Sequence, residues 1–238
     1  MLAAISHPFT RNKPLTDLPP IFRKSYAAFL FDMDGTLLSS IAAAERVWST
    51  WARSHGIDVE KFLPTMHGVR AEDTIRKQNL AGIDVAKEVA WVMQAEIDDV
   101  DGVMAIDGII EFLNALPQDR WSIVTSATKE LAAARLAAAG IAVPKHIVTA
   151  EDVTRGKPAP DCFLLAAERL GVKASDCLVF EDAPAGIAAA EAAGADVMVI
   201  TATHGHPMDT PHATTGDYVG ITISTSDNGQ LTVERRVG

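Results

Sequence analysis

Residues 27–40 read AAFLFDMDGTLLSS, an apolar run followed at once by two aspartates, a glycine and hydroxyls. The near-continuous apolar stretch from Tyr26 to Phe31 predicts a strand buried on both faces, as in a parallel sheet covered by helices. Asp32 and Asp34 come next at i and i+2, so both carboxylates leave the strand on one side. In open α/β sheets the ligand crevice lies at the carboxyl ends of the strands. The stretch therefore sets the fold and marks where chemistry is to be sought.

Downstream, Ala44, Val47, Trp48 and Trp51 recur at i, i+3, i+4 and i+7, and further helices are predicted over 73–79 and 86–97. Residues 39–105 thus read as an all-helical insertion with hinges at Ser39-Ser40 and Met104-Ala105. Beyond Asp107 the pattern alternates. Helices over 109–116, 129–139, 162–170 and 184–193 lead into strands over 121–125, 146–148, 178–180 and 197–200. This alternation predicts an α/β, doubly wound parallel sheet with crossover helices. The tail, YVGITISTSDNGQLTVERR, predicts a C-terminal β-hairpin turning at Asn228-Gly229. Pro8, Pro14, Pro19 and Pro20 predict an irregular arm over 1–25. The expected organisation is a core of residues 26–38 and 106–238 interrupted by a helical domain over 39–105.

With 238 residues, 48% of them hydrophobic, the chain can bury a sizeable interior. Its formal net charge of -10, with no Lys/Arg-rich block, argues against nucleic acid or an anionic membrane as partner. Cys162 and Cys177 are too few for a disulfide framework or a thiolate metal site and fit a reducing compartment. The opening MLAAISHPFTRNKPLTDLPP carries no long apolar core of a secretory signal or membrane span. A cytoplasmic monomer is the expectation.

Four predicted strand ends carry a consistent set of groups. Asp32 and Asp34 end the first, and Thr125-Ser126 the second. RGKPAPD follows the third, with Lys157 in a loop stiffened by Pro158 and Pro160. Glu181-Asp182 ends the fourth. Four carboxylates, a lysine and two hydroxyls thus converge on one rim. Such a carboxylate cluster repels itself at reduced dielectric and calls for a hard cation. Mg²⁺ suits it, because it takes oxygen ligands and is usually held by one or two carboxylates with water and a substrate phosphate. Lys157 and Ser126 would hold the remaining phosphate oxygens.

In order and approximate spacing, DMDGT, IVTSA, GKPAPD and FEDAPAG resemble the four motifs of the haloacid dehalogenase superfamily, a likeness that spans residues 26–205. The resemblance implies Asp32 as a nucleophile that becomes an aspartyl phosphate, and Asp34 as general acid and base. It implies Mg²⁺ held by the Asp32 carboxylate, the Asp34 main-chain carbonyl and Asp182, with Glu181 adjacent or binding through water. Ser126, Ala127 and Lys157 would bind the phosphate. The insertion resembles the small helical cap of one subgroup. AAERVWSTWARSHGI, HGVRAEDTI and VFEDAPAGIAAA look like its sugar- and polyol-phosphatase branch, which includes hexitol-, 2-deoxyglucose- and glycerol-phosphate phosphatases. A small phosphorylated sugar or polyol is then the implied substrate, selected by a cap that closes over the site and excludes water.

Other readings of the same residues weigh less. Asp-x-Asp-Gly also opens calcium loops, but no terminal Glu follows at the required spacing and a strand precedes it. Lys157 in isolation would read as a surface lysine, and Glu181 and Asp182 also suit the N-terminus of the next helix, which is compatible with metal binding. Trp48 and Trp51 are expected in the cap core. His67, Gly68 and Arg70 are expected to touch substrate, since a glycine-containing loop with a cation suits an anionic, polyhydroxylated ligand. Glu96 is a further contact candidate, while His55, His204, His206 and His212 read as solvated loop residues. A phosphosugar mutase shares this core and cap, but mutases of the type carry a His twelve residues after the nucleophile, where Ala44 stands. A dehalogenase needs no second aspartate or metal cluster. A phosphonate hydrolase needs an early cap lysine that SSIAAAERVWSTWARSHG lacks. A non-catalytic sugar-phosphate-binding protein is the remaining alternative, and the intact catalytic positions count against it.

Overall fold

The computed structural model describes residues 21–236. Strand β1 (Ala28–Phe31) is followed by the short β2 (Leu38–Ser39), then by helices α1 (Ile41–Ser54), α2 (Val59–Phe62), α3 (Ala71–Lys77) and α4 (Val85–Asp98), and by β3 (Met104–Ala105). Alternation then begins with α5 (Ile109–Asn114), β4 (Trp121–Val124), α6 (Lys129–Ala138), β5 (Ile147–Val148), α7 (Asp161–Arg169) and β6 (Cys177–Glu181). It continues through α8 (Pro184–Ala192), β7 (Asp196–Ile200) and β8 (Ala213–Thr215), after which come β9 (Ile221–Thr225) and β10 (Leu231–Arg235).

Six strands form one sheet in the order β5-β4-β1-β6-β7-β8, and every neighbouring pair is parallel. β1 sits where the strand order reverses, between β4 and β6, so its carboxyl end opens into the crevice of a doubly wound sheet. All four of its residues are buried, because alternate side chains enter separate cores. Phe29 and Phe31 join Phe112 of α5, Phe180 of β6 and Tyr218 on one face, with the Phe31 and Phe180 rings stacked 4.5 Å apart. Ala28 and Leu30 pack with Phe163 of α7 and Ala189 of α8 on the other. The nucleophile candidate is therefore mounted on a strand clamped from both sides.

The helical insertion has its own core, in which Val47, Trp48, Trp51, Phe62, Ile75 and Val92 are buried together. The two tryptophans meet edge to face at 5.5 Å. Where the chain enters and leaves the insertion, β2 and β3 pair antiparallel, Leu38 opposite Ala105 and Ser39 opposite Met104. The two expected hinges are thus one short ribbon.

Two features differ from the sequence expectation. β8 adds a sixth strand that no apolar run announces, because its residues are half-exposed threonines and alanine paired at the sheet edge. The hairpin turn is wider than Asn228-Gly229. Ser226 N donates to Gln230 O at 2.9 Å, leaving three residues between, and of these only Gly229 has positive φ, whereas the two-residue turn needs it at both positions. The expected arm lies largely outside the described residues, in 1–20; its described end, residues 21–25, forms no helix or strand, and it is tied to β10, with Ile21 N donating to Val233 O and the adjoining Tyr26 exchanging two 2.8 Å bonds with Leu231. Among the described residues no helix is long and apolar enough to cross a membrane, and Cys162 and Cys177 are both buried and unpaired.

Candidate active site

Asp32 follows β1 directly. Its N–H donates to Phe180 O at 2.9 Å, which extends the sheet by one bond and fixes the residue, 4% exposed, in place. Lys157 Nζ donates to Asp32 Oδ1 at 2.5 Å, to Glu181 Oε1 at 2.7 Å and to Val124 O at 3.2 Å, so its three ammonium protons are all engaged. Glu181 is fully buried, and its other oxygen accepts from the N–H groups of Asp182 and Ala183 at 2.8 and 2.9 Å. It thereby fastens Lys157 to the chain entering α8. Asp182 completes the group, and carboxylate oxygens of Asp32, Glu181 and Asp182 lie within 4.8 Å of one another. Gly35 permits this approach: with φ +90°, a Cβ there would stand 2.0 Å from Asp182 Oδ2.

Burial, reinforced by the neighbouring carboxylates, pushes the Asp32 carboxyl well above the usual range despite Lys157. Asp182 is raised by burial and then by Glu181 and Asp32. When ionised, Asp32, Asp34, Glu181 and Asp182 are opposed by Lys157 and by Arg135, which Asp34 shares with Glu96, so positive charge falls short. Converging carboxylate oxygens with that shortfall fit a divalent cation.

Asp34 lies on the cavity side, and its Oδ1 accepts from Ser40 Oγ at 2.6 Å and Arg135 Nη1 at 2.9 Å. Arg135 also donates through Nη2 to Glu96 Oε1 of α4 at 2.9 Å. Burial pushes the Glu96 carboxyl up, against the opposing pull of Arg135. Asp32, Asp34, Asp182, Ser126, Ala127 and Arg135 form the floor of a cavity whose roof is Ala44, Trp48, His67, Gly68, Met93 and Glu96.

The predicted substrate contacts separate into those that line this cavity and those that do not. His67 lines it, 3.5 Å from Glu45 across an imidazole–carboxylate contact, and burial lowers its pKa against the pull of Glu45. Gly68 lines it too, and its carbonyl accepts from Ser126 Oγ at 2.9 Å, joining a cap loop to a core hydroxyl. At φ +74°, a Cβ on Gly68 would come within 2.8 Å of the Ala183 methyl, so glycine lets the loop settle against the core. Ala127 donates its N–H to Thr125 Oγ1 at 3.0 Å. Arg70 points away. It binds Asp73 and the carbonyls of Val153 and Thr154, the latter two at 3.1 Å, which makes it a clasp between cap and core beside the cavity. Lys157 is buried beside Asp32 and is not among the residues that line this cavity.

A family model described as haloacid dehalogenase-like hydrolase matches residues 26–194. The chain belongs to the haloacid dehalogenase-like hydrolases. It is 40% identical over 216 residues to hexitol phosphatase A of Escherichia coli, an alignment covering 87% of this chain and 98% of that protein. It is 36% identical over 197 residues to glycerol-1-phosphate phosphohydrolase 2 of Saccharomyces cerevisiae, covering 77% and 78%. Among solved structures, a hydrolase from Pseudomonas syringae superposes with a TM-score of 0.71 at 25% identity, covering 79% of this chain and 93% of that one.

In this haloacid dehalogenase-like hydrolase the sequence reading gave no role at the site to Ser40, Arg135, His204 or Tyr218. Arg135 left a signal: its neighbours on the buried stripe of α6 are Leu131, Ala132 and Leu136, and an arginine among them requires a buried anion. His204, read as solvated, sits with Nε2 2.9 Å from the Asp182 carbonyl, and His55 and His212 meet Glu88 and Glu191. Tyr218 donates its hydroxyl to Thr36 O at 3.1 Å, bracing the loop after β1 from the far end of the chain. Trp48 belongs both to the cap core and to the cavity wall.

Proposed function

We propose that this chain is a Mg²⁺-dependent phosphatase of small sugar or polyol phosphates, acting in the cytoplasm. The observation that carries the reading is the unequal setting of the two aspartates. Asp32 lies in the cationic and acidic cluster at the phosphoryl end of the cavity, and Asp34 lies toward the cap with one carboxylate oxygen held by Ser40 and Arg135.

Asp32 attacks phosphorus and the ester P–O bond breaks, with Asp34 delivering its proton to the departing alcohol oxygen. Asp34, now a carboxylate, takes a proton from a water that attacks phosphorus in line, and the phosphoryl–Asp32 bond breaks to release phosphate. Lys157 holds Asp32 in line and balances charge beneath it, while Ser126 and the Ala127 segment border the phosphate. Asp32, the Asp34 carbonyl and Asp182 would hold Mg²⁺, with Glu181 behind them. When bound, the metal ion supplies the positive charge that the cluster lacks and that a transferring phosphoryl group develops against.

The relatives' names, hexitol phosphatase and glycerol-1-phosphate phosphohydrolase, support a polyol-type leaving group. A mutase is disfavoured by Ala44, whose methyl lines the cavity where a base would be needed. The test is phosphate release, with Mg²⁺ and with a chelator, from hexitol, hexose, deoxyhexose and glycerol phosphates. Metal-dependent release from at least one of them is expected. No release, or an isomeric phosphosugar formed faster than phosphate, overturns the proposal.

A further inference from the structure

Arg135 is 5% exposed and lies on the buried stripe of α6, a helix set by Thr128, which caps it by accepting from Leu131 N. A guanidinium in that position is costly unless well paired. Its two pairings reach different parts of the molecule: Nη1 to Asp34 at the end of β1, and Nη2 to Glu96 on the cap helix α4, both at 2.9 Å. Nε is buried without a partner. Both donors to Asp34, Arg135 and Ser40, take Oδ1, and among the described residues no protein donor reaches Oδ2. Rotating the Asp34 carboxyl would break both bonds at once, so the pair sets which oxygen faces the cavity.

We infer that Arg135 is a positioning residue that aims Asp34 at the leaving-group oxygen, and that Glu96 makes this aim depend on the cap being seated on the core. The inference rests on Asp34 being the proton donor. The same guanidinium serves the acid of the core and the acid of the cap. When the cap lifts, Glu96 leaves, and Arg135 loses one of the two anchors that hold its fork beside Asp34. Proton delivery is then available when water is excluded and withheld when it is not.

The experiment measures kcat/KM across substituted phenyl phosphates, which share shape and lack sugar hydroxyls but differ in how much their leaving group needs a proton. This ratio covers steps through departure of the leaving group, so slow hydrolysis of the aspartyl phosphate cannot mask the effect. For Arg135→Met, a loss in kcat/KM of roughly 100-fold is expected on phenyl phosphate and less than about fivefold on p-nitrophenyl phosphate, the scale of general acid catalysis. Arg135→Lys should recover part of the loss. Glu96→Gln should steepen the dependence in the same direction by roughly tenfold, and the double variant should be no worse than Arg135→Met alone. Should Arg135→Met fail to fold, as read from its melting temperature, Arg135→Lys and Glu96→Gln carry the test. An equal loss across the series overturns the inference in favour of a structural role, and no loss on the series alongside a loss on a hexitol phosphate assayed in parallel overturns it in favour of substrate contact. Additive losses overturn the coupling to the cap. If the unaltered protein shows no phosphatase activity, or Asp32→Asn retains it, the proposed function fails instead.

Discussion

On the core side of the cavity, Asp32, Lys157, Glu181 and Asp182 are each at most 6% exposed, and backbone N–H groups at the strand ends and the start of α8 hold the cluster. On the cap side the roof is mixed: Trp48 and Glu96 are buried, whereas the side chain of His67 is 27% exposed and meets Glu45, which is outside the cavity lining, at 3.5 Å. The contrast between the two ends of the cavity therefore lies in the loop that carries His67. On the proposed function, the phosphoryl group is the same in every substrate and the buried constellation would serve it, whereas the varying alcohol would meet an element that has its own core and is joined to the rest by a two-strand ribbon.

The largest effect expected from this contrast is at the rigid end. Asp32→Asn should lower phosphate release by roughly 10⁴-fold or more on every substrate, since removing a nucleophile is not offset by binding elsewhere. Its melting temperature should not fall, because one crowded carboxylate is relieved. Asp182→Asn should raise the metal concentration required for half-maximal rate by roughly 100-fold, with added metal restoring much of the rate. A metal-independent loss would remove Asp182 from the ligand set.

Between the two ends lies the loop whose Gly68 carbonyl accepts from Ser126 of the core. Gly68→Ala should impair all substrates alike by roughly tenfold, because positive φ and the Ala183 methyl oppose its seating at a cost of about 1–3 kcal/mol. A change in substrate ranking would show instead that this loop selects. His67→Ala should alter the ratio of kcat/KM between hexitol and glycerol phosphates by roughly tenfold and change p-nitrophenyl phosphate turnover little. Arg70→Ala, by loosening a clasp outside the cavity, should cost every substrate about fivefold, the scale of one hydrogen bond near 1 kcal/mol. A ranking change for Arg70→Ala but not for His67→Ala would invert the assignment.

How legible these regions are in the sequence follows the same division. Apolar runs ending in acids, hydroxyls or a lysine locate the core strands and their chemistry, because a parallel strand buried on both faces cannot be disguised. The cap helices are legible from their periodicity, and their boundaries agree with α3 and α4 to within two residues. Partnerships are less so. That Lys157 binds Asp32 and Glu181, that Ser126 reaches Gly68, and that Arg70 turns outward depend on distances between elements far apart in the chain. β8 escaped because an edge strand of threonines carries no hydrophobic signature. Arg135 could have been suspected, since it interrupts an otherwise apolar helix face, but its two partners lie 101 and 39 residues away.

The central claim is that Asp32 receives the phosphoryl group. Acid quenching during turnover of a substrate radiolabelled in its phosphate, followed by peptide mapping, tests it most directly. The account predicts label on the peptide that contains Asp32 in the unaltered protein and none in Asp32→Asn. Label on another residue, or turnover with no covalent label under conditions where intermediate formation outpaces its hydrolysis, would contradict it.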